Sequence, residues 1–392
     1  MRVLIVHPEM TVYGGAELVI VKLANYMTKK GIENALLTTS ILPEIERDLE
    51  GTRIIVQQIK SNIIDKIYAI PISKILGLHK GIRNNLNDFD IINVHNYPAE
   101  LSVFHCNKPV VWMCNEPILY LMLEELKSSS YRTISRIPLD IYSKFTLRTL
   151  LEFEKFIVRN YVRYACVSDE FNAERFKKIY GFEPEVINYG IDYEFFSRGN
   201  KNKVLKKFDL DGNFIVLQVG WIQHFKNQME SIKTIEKLRD KIPHIKLILA
   251  GYEEKGYKTI LERYIKERGL EQNVIFTGHL DREQIRDLYH ACDVLLHPVK
   301  SQGGWLAPFE ALCAEKPIVV STEMTASEII KRENIGIVTN NFSEIVLDIY
   351  KDPEKYNEIA KRGRMWVKKN LNWDKFCERM VEIFYKAMEE RK

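Results

Sequence analysis

The chain has six cysteines, Cys106, Cys114, Cys166, Cys292, Cys313 and Cys377, and no CxxC pair among them. Scattered single cysteines give neither zinc-ligand spacing nor a secreted disulfide framework, so a reducing, cytoplasmic setting is expected. Uninterrupted apolar runs of the ~18 residues that a membrane-spanning helix needs are also missing. No charged leader, hydrophobic segment and small-residue cleavage site stand before the apolar run at 3–6, which therefore reads as a first strand. Charge of one sign is scarce, since 57 Lys and Arg against 53 Asp and Glu leave +4. With no zinc-finger, basic-zipper or aromatic RNA-binding pattern, nucleic acid is not an expected partner. What is present is ordinary globular material, 46% hydrophobic and 28% charged. Its 392 residues exceed what one core usually supports, so two domains are expected.

Short apolar segments alternate with helical patterns in both halves, the signature of parallel sheets covered on two faces. In the first half, strands are expected over 2–7, 35–38, 54–56, 91–94, 110–114, 165–167 and 185–188. A helix from Ala16 carries Leu18, Val21, Ala24 and Met27 at helical spacing until Gly31 caps it, and Ser168 is a candidate cap for a later helix. After a charged linker at 201–211, strands are expected over 215–219, 246–250, 274–277, 294–297 and 318–321. Such sheets bind ligands beyond the carboxyl ends of their strands, so the loops after Val6, Val219, Ala250 and His297 are the places to look for chemistry.

The loop Tyr13-Gly14-Gly15-Ala16-Glu17 lies between a strand and a helix start. Free backbone N–H groups and the helix dipole there favour a phosphate or carboxylate, although the same glycines also suit a tight turn with positive φ. A dinucleotide fold is disfavoured, because GxGxxG is missing and Thr38, Thr39 and Ser40 stand where a ribose-binding acid would be. In the second half, Gly220-Trp221-Ile222-Gln223-His224-Phe225-Lys226-Asn227 places the Lys226 cation beside a helix start, a candidate diphosphate ligand as well as an ordinary surface lysine. Gln302-Gly303-Gly304-Trp305-Leu306-Ala307-Pro308-Phe309-Glu310 leads into another helix, with Glu310 expected in its first turn as an acceptor for a ribose diol.

These pieces, with Val167-Ser168, residues 186–192, Phe276-Thr277-Gly278, Cys292-Asp293, Glu310-Ala311, Pro317-Ile318-Val319 and Glu328, keep an order and spacing that resembles the retaining glycosyltransferases of family 4 over nearly the whole chain. The resemblance implies the GT-B fold, two doubly wound Rossmann-like α/β domains facing across a cleft. These would be residues 1–195 on the acceptor side and 205–370 on the nucleotide-sugar side, with a last helix at 373–392 crossing back onto the first. It implies a GDP- or UDP-linked sugar as donor, a glycan or lipid-linked acceptor, no cofactor and no obligatory metal. The implied reaction is hexosyl transfer with retention in cell-surface polysaccharide, glycolipid or glycoprotein glycan synthesis. Lys226 is implied on the diphosphate, Glu310 on the ribose, and Gly14 and Gly15 near the donor phosphates. Gly220, Trp221, Gln302, Gly303, Gly304, Trp305 and Leu306 are implied as donor contacts. Asn115 or Glu116 is implied at the acceptor hydroxyl.

The pattern also departs from the family. Gln302 stands where the family's first donor-motif glutamate falls, eight positions before Glu310. Trp221 replaces a common arginine and so removes a bidentate phosphate donor. Asn115 stands where many members have histidine, and Glu315 replaces a usual glycine. A subgroup with altered donor contacts accounts for these changes; the alternatives are a weak or inactive sugar-nucleotide-binding protein and a phosphorylase of the same fold. Finally, the stretches 53–83 and 127–163 mix apolar residues with an excess of Lys and Arg, which suits peripheral attachment to an anionic membrane surface as well as plain amphipathic helices.

Overall fold

The structure is a computed structural model that describes residues 1–59, 71–128, 137–253, 255–300 and 305–389. The chain forms two compact units, one of Met1–Asn188 with Asp374–Lys392, the other of Tyr189–Trp373.

In the first unit β1 (Arg2–Val6), β2 (Glu33–Thr38), β3 (Arg53–Val56), β4 (Ile91–His95), β5 (Val110–Met113), β6 (Tyr164–Val167) and β7 (Glu185–Val186) form a sheet in the order β3-β2-β1-β4-β5-β6-β7. All neighbours are parallel. Helices cover both faces, so these strands carry continuous apolar runs and not alternation. Leu4, Val6, Ile92, Val94 and Trp112 pack against Leu78, Ile157, Phe176 and Tyr180 of the covering helices. The last helix, Trp373–Glu389, belongs to this unit from Asp374 onward. It buries Phe376, Met380, Ile383, Phe384 and Ala387 at helical spacing. Arg379 pairs with Glu185 at 2.8 Å, and Arg163 donates to the Ala387 carbonyl at 2.6 Å.

The second unit repeats the plan. Its sheet, β10-β9-β8-β11-β12-β13, comprises β8 (Phe214–Val219), β9 (Ile245–Ala250), β10 (Val274–Gly278), β11 (Val294–His297), β12 (Ile318–Val320) and β13 (Ile337–Val338), again all parallel. Three glycines close the carboxyl ends of its first strands, with φ of 142° at Gly220, 153° at Gly251 and 69° at Gly278. Backbones approach closely here: the Gly220 N–H donates to the Ala250 carbonyl at 2.9 Å, and a Cβ on Gly251 would lie 2.1 Å from the Gly220 carbonyl oxygen.

Several local expectations change. Residues Lys201–Phe208 form a helix capped by Asn200, where a linker was expected, because Val204 supplies a buried contact to an otherwise charged segment. Asp169, and not Ser168, caps Glu170–Tyr180, accepting from the Asn172 N–H at 2.8 Å. Neither Gly14 nor Gly15 adopts positive φ. Glu310 lies beyond the first turn of its helix, which spans Leu306–Cys313. Glu315, standing in place of a glycine, takes φ 56° just after that helix and pairs with Arg364. Strand β13 was not anticipated, being two residues long.

The glycine contact is testable. Gly251→Ala is expected to cost about 3 kcal/mol of stability, since strain at φ 153° adds to the clash with Gly220. Gly256→Ala, in a helix with nothing near the new Cβ, is expected to gain up to about 1 kcal/mol. Urea midpoints compare the two, and equal midpoints would contradict the packing described.

Candidate functional site

A doubly wound sheet opens a crevice where its strand order reverses, because the crossovers from adjacent strands leave toward opposite faces. The reversal falls between β1 and β4 in the first unit and between β8 and β11 in the second. Each unit gathers polar side chains there.

In the second unit Lys226 ends a 3-10 turn, His224–Lys226, in the loop after β8. Buried Gln218 fixes that turn: its Nε2 donates to the Lys226 carbonyl at 2.7 Å, and its Oε1 accepts from Ser231 at 2.7 Å. Asn227 takes the left-handed conformation at φ 53°, where its amide donates to the Pro298 carbonyl at 2.9 Å. The Lys300 N–H donates to the Phe225 carbonyl at 2.9 Å, so the loops after β8 and β11 are tied across the crevice. The Lys226 stem passes over Gly220, whose absent Cβ would lie 3.9 Å from Cδ. Trp221 is 43% exposed and tilts toward Tyr252, which stacks on His279 with centroids 4.1 Å apart. These rings line the carboxyl ends of β8 to β10.

On the far side of the reversal is Glu310, half-buried, whose Oε2 accepts from the Tyr289 hydroxyl at 2.8 Å. Burial pushes its pKa up to about 7, while the Tyr289 hydrogen bond and the charge of Arg282 pull against that rise. Leu306 opens the same helix and is half-buried. Trp305 is only 3% exposed, packed between Tyr189 and Phe309, so its ring builds the helix start and shows almost no surface to a ligand. Gln302, Gly303 and Gly304 lie outside the described residues.

In the first unit the helix Gly15–Lys29 begins with its own carboxylate in place: Glu17 Oε2 accepts from the Gly14 N–H at 3.1 Å. A Cβ at position 14 would sit 3.0 Å from that oxygen, so a larger residue there would push the Glu17 carboxylate slightly aside. Burial raises the Glu17 pKa to about 7. Glu17 Oε1 lies 3.9 Å from Nε2 of buried His7 at the end of β1. The same Nε2 accepts from Asn96 Nδ2 at 2.9 Å, across the reversal from β4, and Asn96 Oδ1 accepts from Asn115 Nδ2. Asn115 and Glu116 follow β5 and are half-buried. The Glu116 carboxylate favours the charged form of Arg175, against the burial that lowers the Arg175 pKa. Sequence reading singled out Asn115 and Glu116 but not His7, Asn96, Arg175 or Tyr289. For His7 and Asn96 the signal would have been a polar residue just past a strand next to the reversal, whereas Arg175 and Tyr289 sit within helices and carry no such mark.

Two family models divide the chain between them, Glycosyltransferase Family 4 over residues 13–195 and Glycosyl transferases group 1 over residues 200–366. The chain belongs to the family 4 glycosyltransferases. It is 21% identical to the human alpha-1,3/1,6-mannosyltransferase ALG2 over 57% of this chain and 58% of that one. It is 23% identical to a GDP-mannose-dependent phosphatidylinositol monomannoside mannosyltransferase of Corynebacterium glutamicum over 55% of this chain and 60% of that one. The chain thus spans less than two thirds of the length of these curated relatives. The solved structure of Anabaena Alr3699/HepE in complex with UDP-glucose superposes with TM-score 0.79 at 18% identity, covering 98% of this chain and 100% of that one. That likeness establishes a GT-B fold for this glycosyltransferase.

Tyr289→Phe is expected to raise the Glu310 pKa above about 7, because the hydroxyl that favours the ionised form is lost while the burial stays. Carboxyl-carbon NMR titration reads the value directly; an unchanged midpoint would remove Tyr289 from the site.

Proposed function

We propose that the chain transfers a hexose from a nucleotide-diphosphate sugar to a glycan or lipid-linked acceptor, with retention of anomeric configuration and without a metal. One observation carries the proposal: in the second unit Lys226 lies on the loop after β8 and Glu310 on the helix that follows β11, on the two sides of the strand-order reversal, with the loops after β8 and β11 tied by the Lys300 and Asn227 hydrogen bonds. A cation on one side and a carboxylate on the other match a nucleoside diphosphate, whose phosphates need positive charge and whose ribose diol needs an acceptor. The relatives named for GDP-mannose and the fold neighbour solved with UDP-glucose support a GDP- or UDP-linked sugar.

Breaking the anomeric bond leaves positive charge on the sugar and negative charge on the departing diphosphate. Lys226 supplies the matching charge without a metal, and no protein nucleophile is needed for that stabilisation. In the first unit by itself, the helix start at Gly14 and Gly15 is a positive dipole end, engaged by Glu17. A diphosphate approaching there meets a carboxyl whose pKa is near 7, which takes up a proton more readily than an ordinary glutamate. Asn115 and Glu116 orient the acceptor hydroxyl in the first unit.

The acceptor is proposed to lie at a membrane surface. Among the described residues no helix is long and apolar enough to cross a membrane. The sequence pointed to cations, and the structure places several of them in internal contacts: Lys74 with Glu9, Arg53 with Asp88, Lys155 with Glu152, Arg159 with the Tyr180 carbonyl and Arg163 with the Ala387 carbonyl. Lys60, Lys66, Arg132, Arg136 and the side chain of Lys127 lie outside the described residues. What faces outward on the helix Ile137–Tyr161 is Phe145, Phe153 and Phe156, 70%, 43% and 55% exposed on one side of the helix with Arg148 beside them. Aromatic rings beside a cation suit the interface of an anionic leaflet.

Two experiments test these readings. Titration calorimetry with UDP and GDP is expected to show binding of one nucleotide about tenfold weaker at pH 6 than at pH 8, because the ionised Glu310 binds the diol and its pKa lies near 7. Glu310→Gln should flatten that dependence. Lys226→Ala should lower turnover about a hundredfold with the fold intact. Binding of neither nucleotide, or unchanged turnover in Lys226→Ala, would sink the donor assignment. For the membrane, co-sedimentation with anionic vesicles is expected for the wild type and should be lost on replacing Phe145, Phe153 and Phe156 by serine. Equal sedimentation of both proteins, or of neither, speaks against this face.

A further inference from the structure

The hydrogen bond from Asn96 to His7 spans the strand-order reversal of the first unit, where this kind of sheet places its ligand. His7 follows β1, and Asn96 follows β4; the two are 89 positions apart in the chain. Asn96 sits in the left-handed region at φ 56°, a conformation asparagine tolerates better than most residues. There its side-chain amide reaches both ways. Its Nδ2 donates to His7, and its Oδ1 accepts from Asn115, the residue assigned above to the acceptor hydroxyl.

The donors run from Asn115 through Asn96 to His7. An amide nitrogen donates, so His7 Nε2 accepts, and a neutral ring that accepts at Nε2 carries its proton on Nδ1. Burial holds the ring neutral, with the pKa lowered to about 3 and the Lys74 charge acting in the same sense. Lys74 is itself paired with Glu9 at 2.9 Å. The other acid facing the ring is Glu17, 3.9 Å away and also displaced toward its neutral form. His95, next to Asn96 in the chain, is turned elsewhere, onto Asn93 Oδ1 at 2.7 Å. With His7 as the terminal acceptor, Asn96 cannot flip without placing its oxygen against the Nε2 lone pair. Asn115 in turn must face Asn96 with its NH2 group, which directs its carbonyl oxygen away from Asn96.

We propose that His7 and Asn96 are positioning residues that set which end of the Asn115 amide meets the substrate, so that Asn115 offers an oxygen to accept a hydrogen bond from a hydroxyl. The assignment rests on the proposed role of Asn115. A hydroxyl that donates to Asn115 keeps its oxygen lone pairs directed at the anomeric carbon, the orientation that attack requires.

Two measurements test it, one of them independent of turnover. Nitrogen-15 NMR of the histidine rings is expected to show His7 neutral from pH 5 to 8 with the proton on Nδ1. Asn96→Asp, which puts an acceptor against Nε2, should move a proton onto Nε2. Turnover is read as release of UDP from UDP-glucose or GDP from GDP-mannose with water as acceptor. Asn96→Gly, which suits the backbone and removes the amide, should lower kcat about tenfold or more with KM for the nucleotide sugar unchanged. In an Asn115→Ala background it should cost nothing further. His7 titrating like an ordinary imidazole, or holding its proton on Nε2, would overturn the proposal. So would full turnover of Asn96→Gly beside an impaired Asn115→Ala. Unimpaired Asn115→Ala instead removes the role given to Asn115, and with it the substrate that this orientation serves.

Discussion

Everything in this molecule depends on the handedness of its crossovers. Connections between parallel strands are right-handed, so a chain that first builds outward from β1 to β3 and then returns to add β4 must cross to the other face. The second unit repeats the step from β8 through β10 and back to β11. At each return, neighbouring strands send their loops apart and leave their carboxyl ends uncovered. Polar residues gather at these openings, His7, Asn96 and Asn115 in the first unit and Lys226 in the second.

The ionisable groups around these openings share a physical state. Glu17 and Glu310 are each pushed to about 7 by burial, and His7 is lowered to about 3. Elsewhere in the first unit, burial raises Glu154 to about 7 although it accepts from the Tyr180 hydroxyl at 2.8 Å, and burial, with the Glu154 charge acting in the same sense, raises Glu100 well above the usual carboxylate range. Desolvation thus leaves a lining of weakly charged groups, against which the charge on a ligand is screened little.

Strand positions were legible in the sequence because a strand buried on both faces is an unbroken apolar run, and 294–297 matches β11 residue for residue. Helix ends were less legible. Ser168 and Asp169 are adjacent and both able to cap, and only the fold decides between them. Lys201–Phe208 hides its helix behind a single buried valine. Lys226 could be read because it lies on the loop after a strand, and Glu310 because its helix follows such a loop. Tyr289 could not, since it meets Glu310 from a separate helix, and His7 and Asn96, 89 positions apart, were marked only by their place after strands beside the reversal. Glu315 shows the reverse case: a glycine-favouring backbone angle explains a family preference that the sequence alone presented as an unexplained departure.

The first unit contains both the beginning of the chain and Asp374–Lys392, with the second unit set between Asn188 and Asp374. On the ribosome, therefore, the first sheet emerges early but waits for its closing helix until the whole second unit has been synthesised. Until then the surface that receives Phe376, Met380 and Phe384 stays wet, and the nascent first unit is held short of its final stability while its partner folds.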